Sequence, residues 1–301
     1  MKLPWKGVIP AITTPFDTEL RVDHAFLAEH ARWLVDAGCT GLVPLGSLGE
    51  GATLDRAEKR AVVESLVRAV GSRVPIIPGI SSLSTADAVS LARELRAAGA
   101  RGLMVLPPYV YSTDWREMKA HVAAILAATD LPCLLYNNPV AYKTDFAPEQ
   151  VAELAAEFPN LEAVKESSAD VRRVAAIRAL LGDRLEVLVG VDDMIVEGTF
   201  AGAVGWIAGL VNALPKESVA LFRYASSGRK QDAERLYRWF LPLLRMDTVP
   251  KFVQLIKLVQ ERVGMGTSRV RPPRLTLEGP ELAGALRVVE STLASRAELP
   301  D

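Results

Sequence analysis

LEAVKES, Leu161 to Ser167, is a short apolar run that ends on a lysine. Read as a strand, it alternates its side chains with period two, so Leu161, Ala163 and Lys165 share one face. Lys165 then points inward at the strand's carboxyl end, among apolar neighbours. An ammonium so placed is poorly solvated, which lowers its pKa and frees an amine to attack a carbonyl or imine. On the heptapeptide alone the better reading is plainer: a structural lysine paired to a carboxylate such as Glu166. The rest of the chain reverses that order.

Strand-like runs recur on both sides of it. They are VIPAI from Val8, GLVPLG from Gly41, VPIIPG from Val74, GLMVL from Gly102, PCLLY from Pro132, LEVLVG from Leu185 and AVGWIA from Ala203. Helical patterns lie between them. Val62, Val63, Leu66, Val67 and Val70 mark one apolar stripe, and Ala88, Leu91, Ala92, Leu95 and Ala98 another. Segments near 23–37, 114–129, 147–157, 170–181, 192–201 and 214–227 complete the alternation. Apolar runs each followed by an amphipathic helix imply parallel strands buried on both faces. Eight such units predict an α/β fold, a closed (β/α)8 TIM barrel over residues 1–228, with its active site at the strands' carboxyl ends. An open doubly wound sheet calls for a G-x-G-x-x-G turn after a strand, and the sequence has none. Pro10, Pro44 and Pro75 weaken individual strands, but the regular alternation outweighs them. Beyond residue 228 the strands cease. Stretches from Arg229, from Lys251 to Val263 and from Leu282 to Leu293 predict a C-terminal three-helix appendage, 229–301, packed on the barrel. Its apolar Tyr237, Phe240 and Leu244 read as core or subunit contact, with core the default.

Composition bounds the function. The chain has 301 residues, 50% hydrophobic and 24% charged, with a formal net charge of −1. That suits one large core and gives no electrostatic reason for a nucleic acid or membrane partner. Pro4, Pro10 and Pro15 interrupt any apolar signal core at the start, and no window resembles a spanning helix, so a cytoplasmic location is expected. Cys39 and Cys133 read as buried thiols rather than a disulfide. His24, His30 and His121 fall in amphipathic stretches without metal-ligand spacing, so no metal or other cofactor is expected.

Tyr136 closes the fifth strand on the same parity as Leu134, and so also points inward. Adjacent strands lie about 5 Å apart, which lets phenol and amine approach one site. A tyrosine beside a Schiff-base lysine can relay protons between imine nitrogen, substrate carbon and leaving group; a tyrosine bonded to solvent is the plainer alternative. The second strand runs into GSLGEGATL, Gly46 to Leu54. Its glycines permit unusual dihedrals, so backbone N–H groups and the Ser47 hydroxyl can converge on one anion near a helix start. Such loops are also often only tight turns. Asp192 and Asp193 read as N-caps at least as readily as catalysts. Glu50 is expected to bond backbone in its own loop, Trp206 to shape the pocket, and Thr13 and Thr14, ending the first strand, to join the hydroxyl network.

Three motifs carry a resemblance: GSLGE, YNNP from Tyr136 and VKES from Val164. From Gly7 through the final helices the chain resembles the dihydrodipicolinate synthase/N-acetylneuraminate lyase family, class I Schiff-base barrels acting on 2-oxo acids. The resemblance implies that Lys165 forms the imine and Tyr136 shuttles protons. It implies that Ser47 and the Leu48 amide cradle the carboxylate. Tyr109, in LPPY, matches the tyrosine lent to a neighbouring subunit, which implies a homotetramer, a dimer of dimers. Gly190, opening GVDD, and Ile207, within GAVGWIAGLVNA, complete the implied substrate-binding set. Two positions depart from the synthases: Leu48 stands where they usually carry a second hydroxyl, breaking their hydroxyl chain, and Ala141 where they carry an arginine for the aldehyde partner's carboxylate. GSLGE, YNNPVAYKTDF, GVDD and GAVGWIAGLVNA together resemble the Δ1-pyrroline-4-hydroxy-2-carboxylate deaminases of hydroxyproline degradation. That branch implies conversion of a cyclic imino acid to 2,5-dioxopentanoate and ammonia, with no cofactor beyond the covalent Schiff base. The alternatives are a 2-keto-3-deoxy sugar acid aldolase or dehydratase, a synthase-like pyruvate aldolase, and an oxo-acid-binding barrel without turnover.

Overall fold

Seven of the eight apolar runs become strands of one parallel sheet in the computed structural model, which describes residues 3–108, 114–296 and 299. They are β1 (Gly7–Pro10), β2 (Gly79–Ile80), β3 (Leu103–Val105), β4 (Cys133–Asn137), β5 (Leu161–Glu166), β6 (Glu186–Val189) and β7 (Gly205–Ala208), in the order β1-β7-β6-β5-β4-β3-β2. The eighth run, from Gly41, makes only isolated bridges, Ala11 to Val43 and Leu42 to Ile76. It nonetheless closes the cylinder. The Val43 amide donates to the Pro10 carbonyl (2.8 Å) and Ile77 to Leu42 (2.8 Å), while Gly79 donates to Pro44 (2.9 Å). Pro10, Pro44, Pro75 and Pro78 have no N–H to give, so the ladder here is interrupted where the chain path is not. The result is a (β/α)8 barrel with a C-terminal helical appendage.

The outer layer comprises α1 (His24–Asp36), α2 (Arg56–Val70), α3 (Thr85–Ala97), α4 (Trp115–Ala127), α5 (Pro139–Tyr142), α6 (Pro148–Glu157), α7 (Arg172–Leu181), α8 (Ile195–Phe200) and α9 (Pro215–Ser226). Local chemistry sets their ends. Asp55 and Glu58 form a reciprocal capping box on α2, and the Ser84 side chain accepts from the Asp87 amide on α3. Each cap contributes about 1 kcal/mol. The buried stripes, Val62, Val63, Leu66 and Val70 on α2 and Ala88, Leu91, Ala92 and Leu95 on α3, contribute about 1.5–3 kcal/mol per large side chain, so packing dominates.

Past the barrel come α10 (Lys230–Leu244), a 3-10 turn (Arg245–Asp247), α11 (Phe252–Arg262) and α12 (Gly279–Ala294). Helix α10 packs on α9, α12 on α10 and α11, and α11 on the 3-10 turn Leu210–Asn212 that follows β7. Phe240 and Leu244 are fully buried, and the half-buried Tyr237 donates its phenol to the Asp193 carbonyl. No helix among the described residues is long and apolar enough to cross a membrane.

Candidate active site

Parity on β5 separates two neighbours. Lys165 pairs in register with Tyr136 of β4 and Leu188 of β6, and its side chain enters the cavity at the barrel mouth. Glu166, one residue on, faces the other way: its carboxylate accepts from Asn137 Nδ2 (3.1 Å) and the Ser168 amide (2.7 Å). A Lys165–Glu166 pair is therefore excluded by the pleat itself. Lys165 Nζ lies 4.3 Å from the centroid of the Tyr136 ring and makes no hydrogen bond to a described residue. Burial pushes its pKa down to about 8, against the opposing pull of Asp247 and Asp192. A larger share of molecules then carries a free amine at neutral pH than at the ordinary lysine value. The stem needs room, and Gly190 supplies it: a Cβ there would fall 2.4 Å from Lys165 Cε and 2.0 Å from Ser167 Oγ.

Tyr136 is held as a neutral phenol. Burial raises its pKa to about 12, opposed by a hydrogen bond from Asn138 Nδ2 to the phenolic oxygen (2.9 Å). Because Asn138 occupies a lone pair, the phenolic hydrogen remains available to another acceptor. Edge-on to this ring, at 5.8 Å and 90°, stands Tyr142 from α5, whose hydroxyl is hydrogen-bonded to Ser47 Oγ. Leu48 carries no hydroxyl beside Ser47, and Tyr142 brings one to Ser47 instead. The sequence reading passed over this residue. An Asn-Pro pair at 138–139 is a helix-start signal, with the Asn138 side chain capping Ala141 N, and would have placed Tyr142 one turn on.

The loop from Gly46 works differently from its sequence reading. None of Gly46, Gly49 and Gly51 has a positive φ; Leu45 (65°) and Glu50 (52°) do instead. Left-handed backbone at non-glycine residues costs on the order of 1 kcal/mol each and concentrates at functional sites. The amides of Ser47 and Leu48 make no hydrogen bond to a described residue, and both residues line the cavity. Helix α2 begins at Arg56, just past the loop, with Asp55 capping its first turn, and within the loop a 3-10 turn spans Gly51–Thr53. Glu50 also departs from expectation. Its backbone bonds its own loop, but its side chain is buried against Lys257 Nζ (2.6 Å) and the Arg271 amide (3.0 Å), which ties the loop to the C-terminal region.

Other expected positions sort cleanly. Gly190 and Ile207 line the cavity with Ser47, Leu48, Tyr136 and Lys165, and Ala141 forms part of its wall. Tyr109 lies outside the described residues. Asp192 is no N-cap: it is fully buried and accepts from Trp206 Nε1 (2.9 Å) and from the amides of Gly209 (3.1 Å) and Leu210 (2.7 Å). Trp206 thus orients Asp192 rather than lining the cavity. Thr13 donates to Gln260 (2.9 Å) and Thr14 to the Gly49 carbonyl (2.6 Å), so both brace structure. Cys39 and Cys133 are buried free thiols. No described histidine borders the cavity, whose volume is about 560 Å³; Asp247 and Arg274, both from the C-terminal region, do border it. Neither was read from the sequence.

A desolvated lysine facing a neutral phenol at the mouth of a parallel barrel defines a class, the barrel lyases of Schiff-base type. Residues 4–290 match the Dihydrodipicolinate synthetase family, and the chain belongs to it. A 4-hydroxy-tetrahydrodipicolinate synthase of Methanopyrus kandleri is 34% identical over 269 residues, 89% of this chain and 90% of that one. Among solved structures, a dihydrodipicolinate synthase from Bacillus anthracis superposes with a TM-score of 0.92 at 26% identity, covering 96% of this chain and 99% of that one. A prophage protein of the same family from E. coli K12, solved in complex with pyruvate, gives 0.91 at 25% identity over 96% and 99%. The chain is accordingly an enzyme of lyase/aldolase type.

Proposed function

We propose that the chain deaminates Δ1-pyrroline-4-hydroxy-2-carboxylate to 2,5-dioxopentanoate and ammonia, with Lys165 as nucleophile and Tyr136 as proton carrier. The observation that carries this reading is the cavity wall: Leu48 and Ala141 line it where the synthases present a hydroxyl and an arginine. One cradle for one carboxylate is what a monocarboxylic imino acid requires. The Ser47 hydroxyl and the Ser47 and Leu48 amides would hold that carboxylate, with Gly190 and Ile207 flanking the ring. Addition of the Lys165 amine to C2 expels the ring nitrogen and opens the ring, leaving the imine on lysine. Loss of a C3 proton gives an enamine, which expels the C4 hydroxyl as water. Tautomerisation moves the new C3=C4 double bond to the C5 amine as a C5=N imine, and two hydrolyses then release ammonia with the aldehyde and the free lysine, so one water is consumed overall. Tyr136 moves the protons at the imine and C3 stages.

The supporting frame is also part of the proposal: a catalytic barrel over 1–228, a helical region over 229–301, a cytoplasmic homotetramer built as a dimer of dimers, and Tyr109 crossing between subunits. One solved relative is described as a monomeric variant, so sedimentation of this chain tests the assembly directly. A second reading, a synthase-like pyruvate aldolase, has one specific observation in its favour. Arg274 lines the cavity, 3.9 Å from Glu50, and offers a cation for an aldehyde partner's carboxylate. Supplying the hydroxypyrroline carboxylate separates the two. Stoichiometric ammonia and semialdehyde are expected. Condensation of pyruvate with aspartate semialdehyde, and no ammonia from the imino acid, contradicts the first reading. Failure to form any borohydride-reducible adduct contradicts both and leaves a binding barrel.

A further inference from the structure

Two carboxylates share the electrostatic surroundings of Lys165, and they are treated in opposite ways. Asp192 is saturated by the Trp206 indole and the Gly209 and Leu210 amides, three donors on a fully buried group. Asp247, from the 3-10 turn after α10, receives no hydrogen bond from a described residue and faces the cavity. Its place is built into the barrel end. A Cβ at Gly209 would fall 2.0 Å from Asp247 Oδ1 and 2.5 Å from Cγ, so the carboxyl fills a notch that only glycine leaves open. Two like charges beside a single lysine cannot both be retained cheaply, and the group without donors is the one that keeps a proton. Desolvation and the Asp192 charge accordingly push Asp247 well above the usual carboxylate range. The Lys165 charge opposes that rise, and Asp193 adds to it more weakly.

We propose that Asp247 is the acid that protonates the C4 hydroxyl as it leaves. The assignment rests on the deaminase reading. In the step, the enamine nitrogen's electron pair forms the N=C2 bond, the C2=C3 pair becomes C3=C4, and the C4–O bond breaks. The departing oxygen keeps that bond's electron pair, takes the Asp247 proton and leaves as water. Asp247, now a carboxylate, recovers its proton from the water that adds to C2 when the lysine imine is hydrolysed. The C-terminal region thereby supplies a catalytic residue to the barrel.

The test compares the wild type with Asp247→Asn and Asp247→Glu in the full-length protein. Pyruvate and borohydride probe the lysine, and the hydroxypyrroline carboxylate probes turnover. Asp247→Asn is expected still to trap pyruvate on Lys165 while ammonia release falls about 100-fold or more. Its trapped adduct with the imino acid should retain the C4 hydroxyl by mass, whereas the wild-type adduct has lost water. Asp247→Glu should recover part of the rate. Wild-type ammonia release by Asp247→Asn, or a dehydrated adduct, overturns the assignment. So does loss of pyruvate trapping, which would place Asp247 in the lysine's own step. If the wild type itself releases no ammonia, the deaminase reading fails first and takes the assignment with it.

Discussion

Lys165 and Lys257 are both withdrawn from water, 6% and 2% exposed, and burial lowers the pKa of each. Their surroundings differ completely. Lys257, on α11, donates to Glu50 Oε1 (2.6 Å) and to the carbonyls of Thr14 (2.8 Å) and Arg269 (2.8 Å), which uses all three of its protons. Lys165 has a ring face and no hydrogen-bond acceptor among the described residues. Burial alone therefore does not mark a nucleophile. A lysine whose protons are all engaged is a clamp, here between the anion loop and the C-terminal helices. A lysine left without acceptors is free to lose its proton and react.

Substituting each lysine sharpens that contrast. Lys165→Ala is expected to cut ammonia release by on the order of 10⁴-fold or more while leaving the urea-unfolding midpoint no lower than wild type. A variant that keeps its turnover would break the comparison. Tyr136→Phe should reduce kcat by about 10²–10⁴-fold with imine trapping retained; an effect confined to KM would reduce the phenol to a positioning group. Lys257→Met leaves Glu50 buried without its main partner, and should cost about 3 kcal/mol in urea unfolding, the low end for a broken buried pair because the Arg271 amide remains. A cost under about 1 kcal/mol would show that the clamp is dispensable. Ser47→Ala removes one hydrogen bond to a bound carboxylate and should raise KM about tenfold, equivalent to roughly 1.5 kcal/mol. The smallest effect is in pH. The protonated Lys165 amine has no lone pair, and it loses that proton as pH rises through about 8. Hence kcat/KM should climb about tenfold per unit below that value and level off above it. A profile flat between pH 6 and 8 would contradict the assignment.

The inward pairing of Lys165 and Tyr136 was legible because period two is a local rule, and the strands that carry them are free of proline. The segment from Gly41 was harder, since Pro44, Pro75 and Pro78 remove donors and reduce its ladder to bridges without moving its path. Contacts between distant parts of the chain left no local trace. Glu50 and Lys257 are 207 residues apart, and nothing in GSLGE foretells a partner on a C-terminal helix. Asp247 follows an amphipathic helix in a stretch with no motif, so only the folded chain brings it to the lysine's cavity. Tyr142 stands between these cases. Its helix start was written in the sequence, but its bond to Ser47 depends on how α5 sits over the barrel mouth.

The most direct measurement is the site of covalent labelling. The protein is incubated with pyruvate, reduced with borohydride, digested and mapped by mass spectrometry. The label is expected on the Lys165 peptide alone, with yield rising as pH approaches 8. Label on Lys257, or label spread over exposed lysines with none on Lys165, would contradict the claim that an unengaged buried amine is the reactive group.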